Sequence, residues 1–122
     1  MADELTETYS FMLVNGNLRA QFPQIARKYS QATAGMSDQV LSIGTTAEAV
    51  TFGDVATPGV IVLHNLDAAN YIEFGPDDGG TMKNCGKVNA GEVERFRLAS
   101  GVTLKLKANT AACKVRVLCL ET

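Results

Sequence analysis

The chain has 122 residues, 46% hydrophobic and 20% charged, with Lys+Arg 11 against Asp+Glu 13 and a net charge of -2. This is enough chain for one domain with its own core, and the composition argues against disorder. A near-neutral balance without a basic cluster argues against nucleic-acid binding through phosphate neutralisation. No run of about 18 apolar residues is present to form a transmembrane helix, so no membrane partner is expected.

The opening Met1-Ala2-Asp3-Glu4-Leu5-Thr6-Glu7 is acidic and lacks the basic and apolar regions of a signal peptide, so synthesis and folding in a cytoplasm are expected. Residues 1 to about 36 differ in texture from the rest and read as an N-terminal arm. Thr6 to Val14 reads as a strand, with Tyr9, Phe11 and Leu13 on one side and Thr8, Ser10 and Met12 on the other. Asn15-Gly16 is a turn signal, and Leu18 to Phe22 can run back as the partner strand. Pro23 interrupts that run, and Ile25 to Gln31 reads as a third strand or a short helical turn, with strand preferred. Gln31 to Ser37 is small and polar, as in a linker.

The body, residues 37–122, is a series of short β segments closely punctuated by turn residues. Val40 to Ile43 ends at Gly44, and Ala49 to Phe52 ends at Gly53-Asp54. Gly59 to Gly75 is the organising stretch. Val60 to Leu63 is aliphatic without polar alternation, as in a strand buried on both faces. Tyr71 to Phe74 is aromatic and alternating, and the polar Asn65-Leu66-Asp67-Ala68-Ala69-Asn70 between them predicts a β-hairpin. Gly75 to Gly80 is a turn, and Thr81 to Val88 reads as a strand broken near Gly86. Glu92 to Leu98 follows. Val102, Leu104, Leu106 and Ala108 then alternate with Thr103, Lys105 and Lys107, the cleanest period-2 pattern in the chain. Cys113 to Leu120 closes the chain with Cys113, Val115, Val117 and Cys119 on one face. Lys114, Arg116, Leu118 and Leu120 take the other, so the two outward leucines imply burial against something else. No segment carries a sustained helical period with caps. The expected fold is all-β, an antiparallel β-sandwich or jelly-roll-like barrel with an extended N-terminal β arm.

Each group that could carry chemistry has a plainer reading. His64 is the single histidine, where a buried strand meets a polar loop, with no nucleophile in a recognisable setting; a structural histidine bonding the loop backbone is expected. Asp77-Asp78 could offer oxygen ligands to calcium, but Gly79-Gly80 makes a plain turn an equal account. Glu92 and Glu94 share a strand face, as in a solvated strand with Arg95 and Arg97 opposite, rather than as a glycosidase dyad. The three cysteines, Cys85, Cys113 and Cys119, have no metal-ligand spacing. No catalytic residue, cofactor or metal is expected. The basic residues Lys83, Lys87, Arg95, Arg97, Lys105, Lys107, Lys114 and Arg116 lie in the second half, and the acids Asp3, Glu4 and Glu7 open the chain. Such a distribution could favour head-to-tail association or an acidic neighbour.

Several phrases recur together in one order: Val40 to Thr45, Asn65 to Ile72, Gly91-Glu92-Val93 leading to Phe96-Arg97-Leu98, and Leu104 to Val117 with its Ala108-Asn109-Thr110-Ala111-Ala112 loop. In this order, and with the opening Asn15-Gly16-Asn17-Leu18, the chain resembles small virion structural proteins of tailed bacteriophages. The resemblance spans most of the chain and rests on turn and strand phrases rather than a catalytic signature. It implies a non-enzymatic role in the virion. The first reading is a capsid decoration (cement) protein, homo-oligomeric with a trimer favoured, that clamps the outside of the major capsid protein lattice. A neck, tail or fibre-base component is the alternative, and a carbohydrate-binding attachment module the least favoured, since the chain has no Trp and 7% aromatic residues. Within this reading Tyr9, Phe11, Leu13, Phe22, Leu118 and Leu120 are the candidate subunit or capsid interface, with completion of the sandwich core as the equal alternative for the N-terminal residues.

Overall fold

A computed structural model describes residues 4–31 and 33–121; Asp3 of the acidic opening lies outside the described residues. The chain separates into two compact units, Met1–Ala32 and Thr33–Thr122. Among the described residues there is no helix, and every strand pairing is antiparallel.

The first unit is a two-stranded ribbon of β1 (Leu5–Asn15) and β2 (Leu18–Tyr29). Asn15 pairs with Leu18, so the turn is Gly16-Asn17, and Gly16 at φ 57° takes the left-handed conformation that matches the strand twist. Ile25 to Tyr29 is neither a separate strand nor a helical turn: β2 runs on through Pro23. It does so at a bulge, because Tyr9 pairs with Ile25 and Phe11 with Phe22, three steps on β2 against two on β1. A bulge tolerates a proline, which has no N–H for the ladder.

The second unit is a sandwich of two sheets. One has the order β3 (Met36–Ile43), β11 (Cys113–Glu121), β5 (Pro58–Asn65), β9 (Val93–Arg97). In the other, β4 (Glu48–Ala49) and β6 (Ile72–Asp78) flank β10 (Leu104–Ala108), and the free side of β6 takes β7 (Thr81–Met82) and β8 (Gly86–Val88) in succession. The alternation predicted for the last two long strands is observed from Leu104 on, whereas Val102, read on the same face, lies before β10 and is exposed. Leu104, Leu106 and Ala108 face Cys113, Val115, Val117 and Cys119 across the core, joined by Ile61, Leu63, Ile72, Phe74 and Val88. Each large aliphatic side chain so buried contributes about 1.5–3 kcal/mol.

The predicted hairpin over residues 59–75 is corrected. β5 and β6 do not pair with each other; β5 lies between β11 and β9 in one sheet, and β6 beside β10 in the other. The connecting loop is an arch that crosses the sandwich. The reason lies in β5 itself: aliphatic residues on both faces suit a central strand, and Val60, Ile61 and Leu63 are all buried. Outside β6–β7–β8, each step from β3 to β11 changes sheets, so local adjacency is a poor guide to pairing here.

Candidate interaction surfaces

Alternation along β1 and β2, carried through the bulge, gives the ribbon one apolar face. Leu5, Tyr9, Phe11 and Leu13 lie there, opposite Tyr29, Ile25, Phe22 and Ala20, with Glu7 opposite Arg27 among them towards the open end; Met12 and Val14 are exposed on the other face. Phe11 and Phe22 stack with ring centroids 5.4 Å apart and an interplanar angle of 6°. Stacking one ring on another leaves much of both in water: Phe11 is 64% exposed and Phe22 41%, and Leu13, Leu18 and Ile25 are exposed with them. Tyr9 is half-buried. An isolated two-stranded ribbon is marginal in water, so this face is a surface that gains from cover.

The second surface is the outer face of the β3–β11–β5–β9 sheet. Strand register sets three rows across it: Met36, Leu120, Val60, Arg97; then Asp38, Leu118, Val62, Arg95; then Val40, Arg116, His64, Val93. Met36, Val40 and Val93 are exposed, Leu118, Leu120 and Val62 half-buried. Val62, His64, Val93, Arg116 and Leu118 line a shallow cavity of about 170 Å³. Arg116 holds Asp38 in a bidentate pair, Nε to Oδ1 at 2.9 Å and Nη2 to Oδ2 at 2.8 Å. That guanidinium holds the Asp38 carboxyl below the usual carboxylate range. Arg95 and Arg97 on β9 stand at the edge of the same face. The outward leucines read from sequence thus sit in an apolar patch, whose exposed members on β3 and β9 sequence reasoning did not select. Residues around Met36 were read as linker, although Met36, Asp38, Val40 and Ser42 alternate with the half-buried Ser37, Gln39 and Leu41.

A third concavity, about 260 Å³ and almost wholly apolar, opens at one end of the sandwich beneath Phe74 and Phe96, whose rings stack at 5.2 Å, with Leu98, Val102 and Leu104 around them. Exposed Cys85 stands at its edge.

The groups considered for chemistry are distributed rather than convergent. His64 lies on the outer strand face and not against the loop backbone as expected; that role belongs to its neighbour Asn65. The fully buried Asn65 side chain donates to Asn70 O at 2.9 Å and Val88 O at 3.1 Å and accepts the Asp67 N–H at 3.0 Å. Asp77 faces the Lys105 ammonium at 3.1 Å, and Lys105 also donates to Gly80 O, so this carboxylate ties β6 to β10. Glu92 Oε1 accepts the Asn89 N–H at 2.9 Å and closes the turn before β9, while Glu94 is exposed. Among the described residues no three His, Cys, Asp or Glu side chains cluster as metal ligands. Burial raises the thiols of Cys113 and Cys119, which keeps both protonated inside the core. The Tyr71 ring, the aromatic a sugar platform would use, is covered by the Lys87 ammonium at 4.5 Å from its centroid.

Asp67 Oδ2 accepts the N–H groups of Ala69 at 3.0 Å and Asn70 at 2.6 Å, which lowers its pKa below 3.8. The folded value lies below the unfolded one, so this stabilisation is present above 3.8 and lost as pH falls through the folded value. Asp38 acts in the same sense. Thermal melts should show stability falling below about pH 4, and Asp67→Ala should flatten that acid limb while lowering the neutral-pH melting temperature.

No protein-family model, curated protein or solved structure matches this chain.

Proposed function

We propose that this chain is a non-enzymatic bacteriophage virion structural protein, a capsid decoration protein that self-associates and binds the outer surface of the major capsid lattice. The observation that carries the reading is the presence of two apolar surfaces on a small all-β chain: the ribbon face with exposed Phe11 and Phe22, and the outer sheet face, where exposed Met36, Val40 and Val93 surround the half-buried Val62, Leu118 and Leu120. One serves contacts between copies, and the other suits an apolar patch on the shell. The work is mechanical. Each copy covers a seam, and modest interface energy multiplied over a lattice opposes the internal pressure of the packaged genome.

The test is reconstitution on capsids that lack the protein. Added chain should occupy regular lattice positions in electron micrographs and raise the capsid melting temperature. Leu118→Asp with Val62→Asp should weaken occupancy by about 30-fold or more, the size expected when an apolar anchor is replaced by a charge. A folded chain that ignores capsids would sink the decoration role and favour the neck or tail. Turnover abolished by His64→Ala or Glu94→Ala would overturn the non-enzymatic reading altogether.

A further inference from the structure

The ribbon is unequal at its two edges. β1 carries Glu7, with Glu4 immediately before it, and no basic residue; β2 carries Arg19, Arg27 and Lys28 and no acid. These charges are concentrated at the open end of the ribbon, where Glu7 opposes Arg27 and Thr6 opposes Lys28. As the ribbon consists of these two strands alone among the described residues, each strand also has an outer edge of backbone donors and acceptors outside the β1–β2 ladder.

We infer that copies of this chain join ribbon to ribbon in one direction, the β1 edge of one copy against the β2 edge of the next, closing a ring of three or more copies around their apolar faces. The inference rests on the self-association part of the proposed function and is independent of capsid attachment. Three features select this arrangement. With all ribbons pointing the same way, the acidic open end of β1 meets the basic open end of β2, so the Glu7–Arg27 apposition within one ribbon is repeated between ribbons. A two-fold antiparallel joining of β2 to β2 would instead bring Arg27 and Lys28 towards Arg19, a like-charge contact. Directional joining uses both edges of every copy, and the ring closes without leaving an edge exposed.

The apolar face sets the lower limit on copy number. Phe11, Leu13, Leu18, Phe22 and Ile25 must turn inward together, and a closed sheet of only four strands has no interior for two aromatic rings per copy. Pro23 removes one donor from β2 at the bulge and sets a gap in the ladder, which fixes the register of the incoming edge instead of preventing it.

The experiment uses the full chain. Isotopically light and heavy copies are mixed unfolded, refolded together, sized by sedimentation velocity and native mass spectrometry, and joined by carbodiimide, which links carboxylates to amines only in direct contact. The expected result is one species of at least three copies, with mixed-isotope cross-links from Glu4 or Glu7 to Lys28. Raising the salt concentration should loosen it, because Glu4 and Lys28 are exposed. Phe11→Ser with Phe22→Ser should weaken association by about 100-fold with the melting transition of the body retained, and Lys28→Glu should weaken it without touching the apolar face. A monomer, a two-fold dimer, or a larger species lacking mixed-isotope links to Lys28 would overturn the inference. A ring that ignores capsids leaves it standing while removing the decoration role; a monomer that decorates capsids does the reverse.

Discussion

Gly75→Ala should lower the melting temperature by about 10 °C or more. β6 meets β7 at Asp77–Met82 and β8 at Phe74–Gly86, three steps on one side against four on the other. The extra residue makes Lys83, Asn84 and Cys85 bulge across β6, held by Lys83 N–H to Pro76 O and Cys85 N–H to Phe74 O, both at 2.9 Å. A Cβ on Gly75 would lie 1.8 Å from the Lys83 carbonyl oxygen, which is backbone and cannot rotate away. Either the bulge or β6 must shift, and β6 carries the buried Ile72 and Phe74. Overpacking of this kind costs about 3 kcal/mol, a large share of a total stability of about 5–15 kcal/mol. Gly79→Ala is the control. Its Cβ meets nothing within 4 Å, and its φ of +61° leaves only the left-handed penalty, so the loss should be about 1 kcal/mol. Melts of the two variants side by side check this; equal losses would mean that the Lys83 bulge gives way at little cost.

What could be read from the sequence was whatever repeats with period two. β10 and β11 alternate so regularly that their core faces, including the cysteines, follow directly from residue type, and the apolar side of the ribbon follows from Tyr9, Phe11 and Leu13. Pairing was not legible in the same way. The stretch around Asn65 to Asn70 has the polarity of a hairpin turn, yet the chain uses it to change sheets, because β5 fills the middle of one sheet and needs β11 and β9 on its two sides. Those partners arrive about thirty and fifty residues later, beyond any local signal. Gly75 was read as the edge of a turn for a related reason: a glycine that makes room for a bulge looks the same as one that ends a strand. At the outer sheet face, Leu118 and Leu120 were visible as misplaced leucines, but Met36 and Val40 acquire their meaning only when β3 is laid beside β11.

Asn65→Leu should cost about 3 kcal/mol despite keeping the branching of the side chain and adding hydrophobicity at a fully buried position. Continuing the alternation of Ile61 and Leu63, position 65 points into the core, where a leucine would be the ordinary choice. Its amide instead closes the arch: two donors satisfy the carbonyls of Asn70 and Val88, and one acceptor takes the Asp67 N–H. The Asn65 main chain adds bonds in both directions, its N–H to Glu92 O and its O from Gly91 N–H, each at 3.0 Å. One residue therefore ties β5 to the loop, to β8 and to the turn before β9. Leucine leaves two carbonyls and one N–H without these partners, and the desolvation of such groups outweighs the transfer gain of the aliphatic side chain. Asn65→Asp separates the two contributions. The carboxylate keeps the acceptor for Asp67 but cannot donate, and it places a charge at a buried site, so at neutral pH it should be at least as damaging as leucine. Protonation restores a donor and removes the charge, so mild acid should recover part of the Asp variant's deficit relative to the parent, whereas the leucine variant, which has no titrating group, should gain nothing. Denaturant melts of the three proteins across pH 5 to 8 test this, within about the range where the remaining fold is at its most stable. An Asp variant that tracks the leucine variant throughout would locate the cost in lost donors alone.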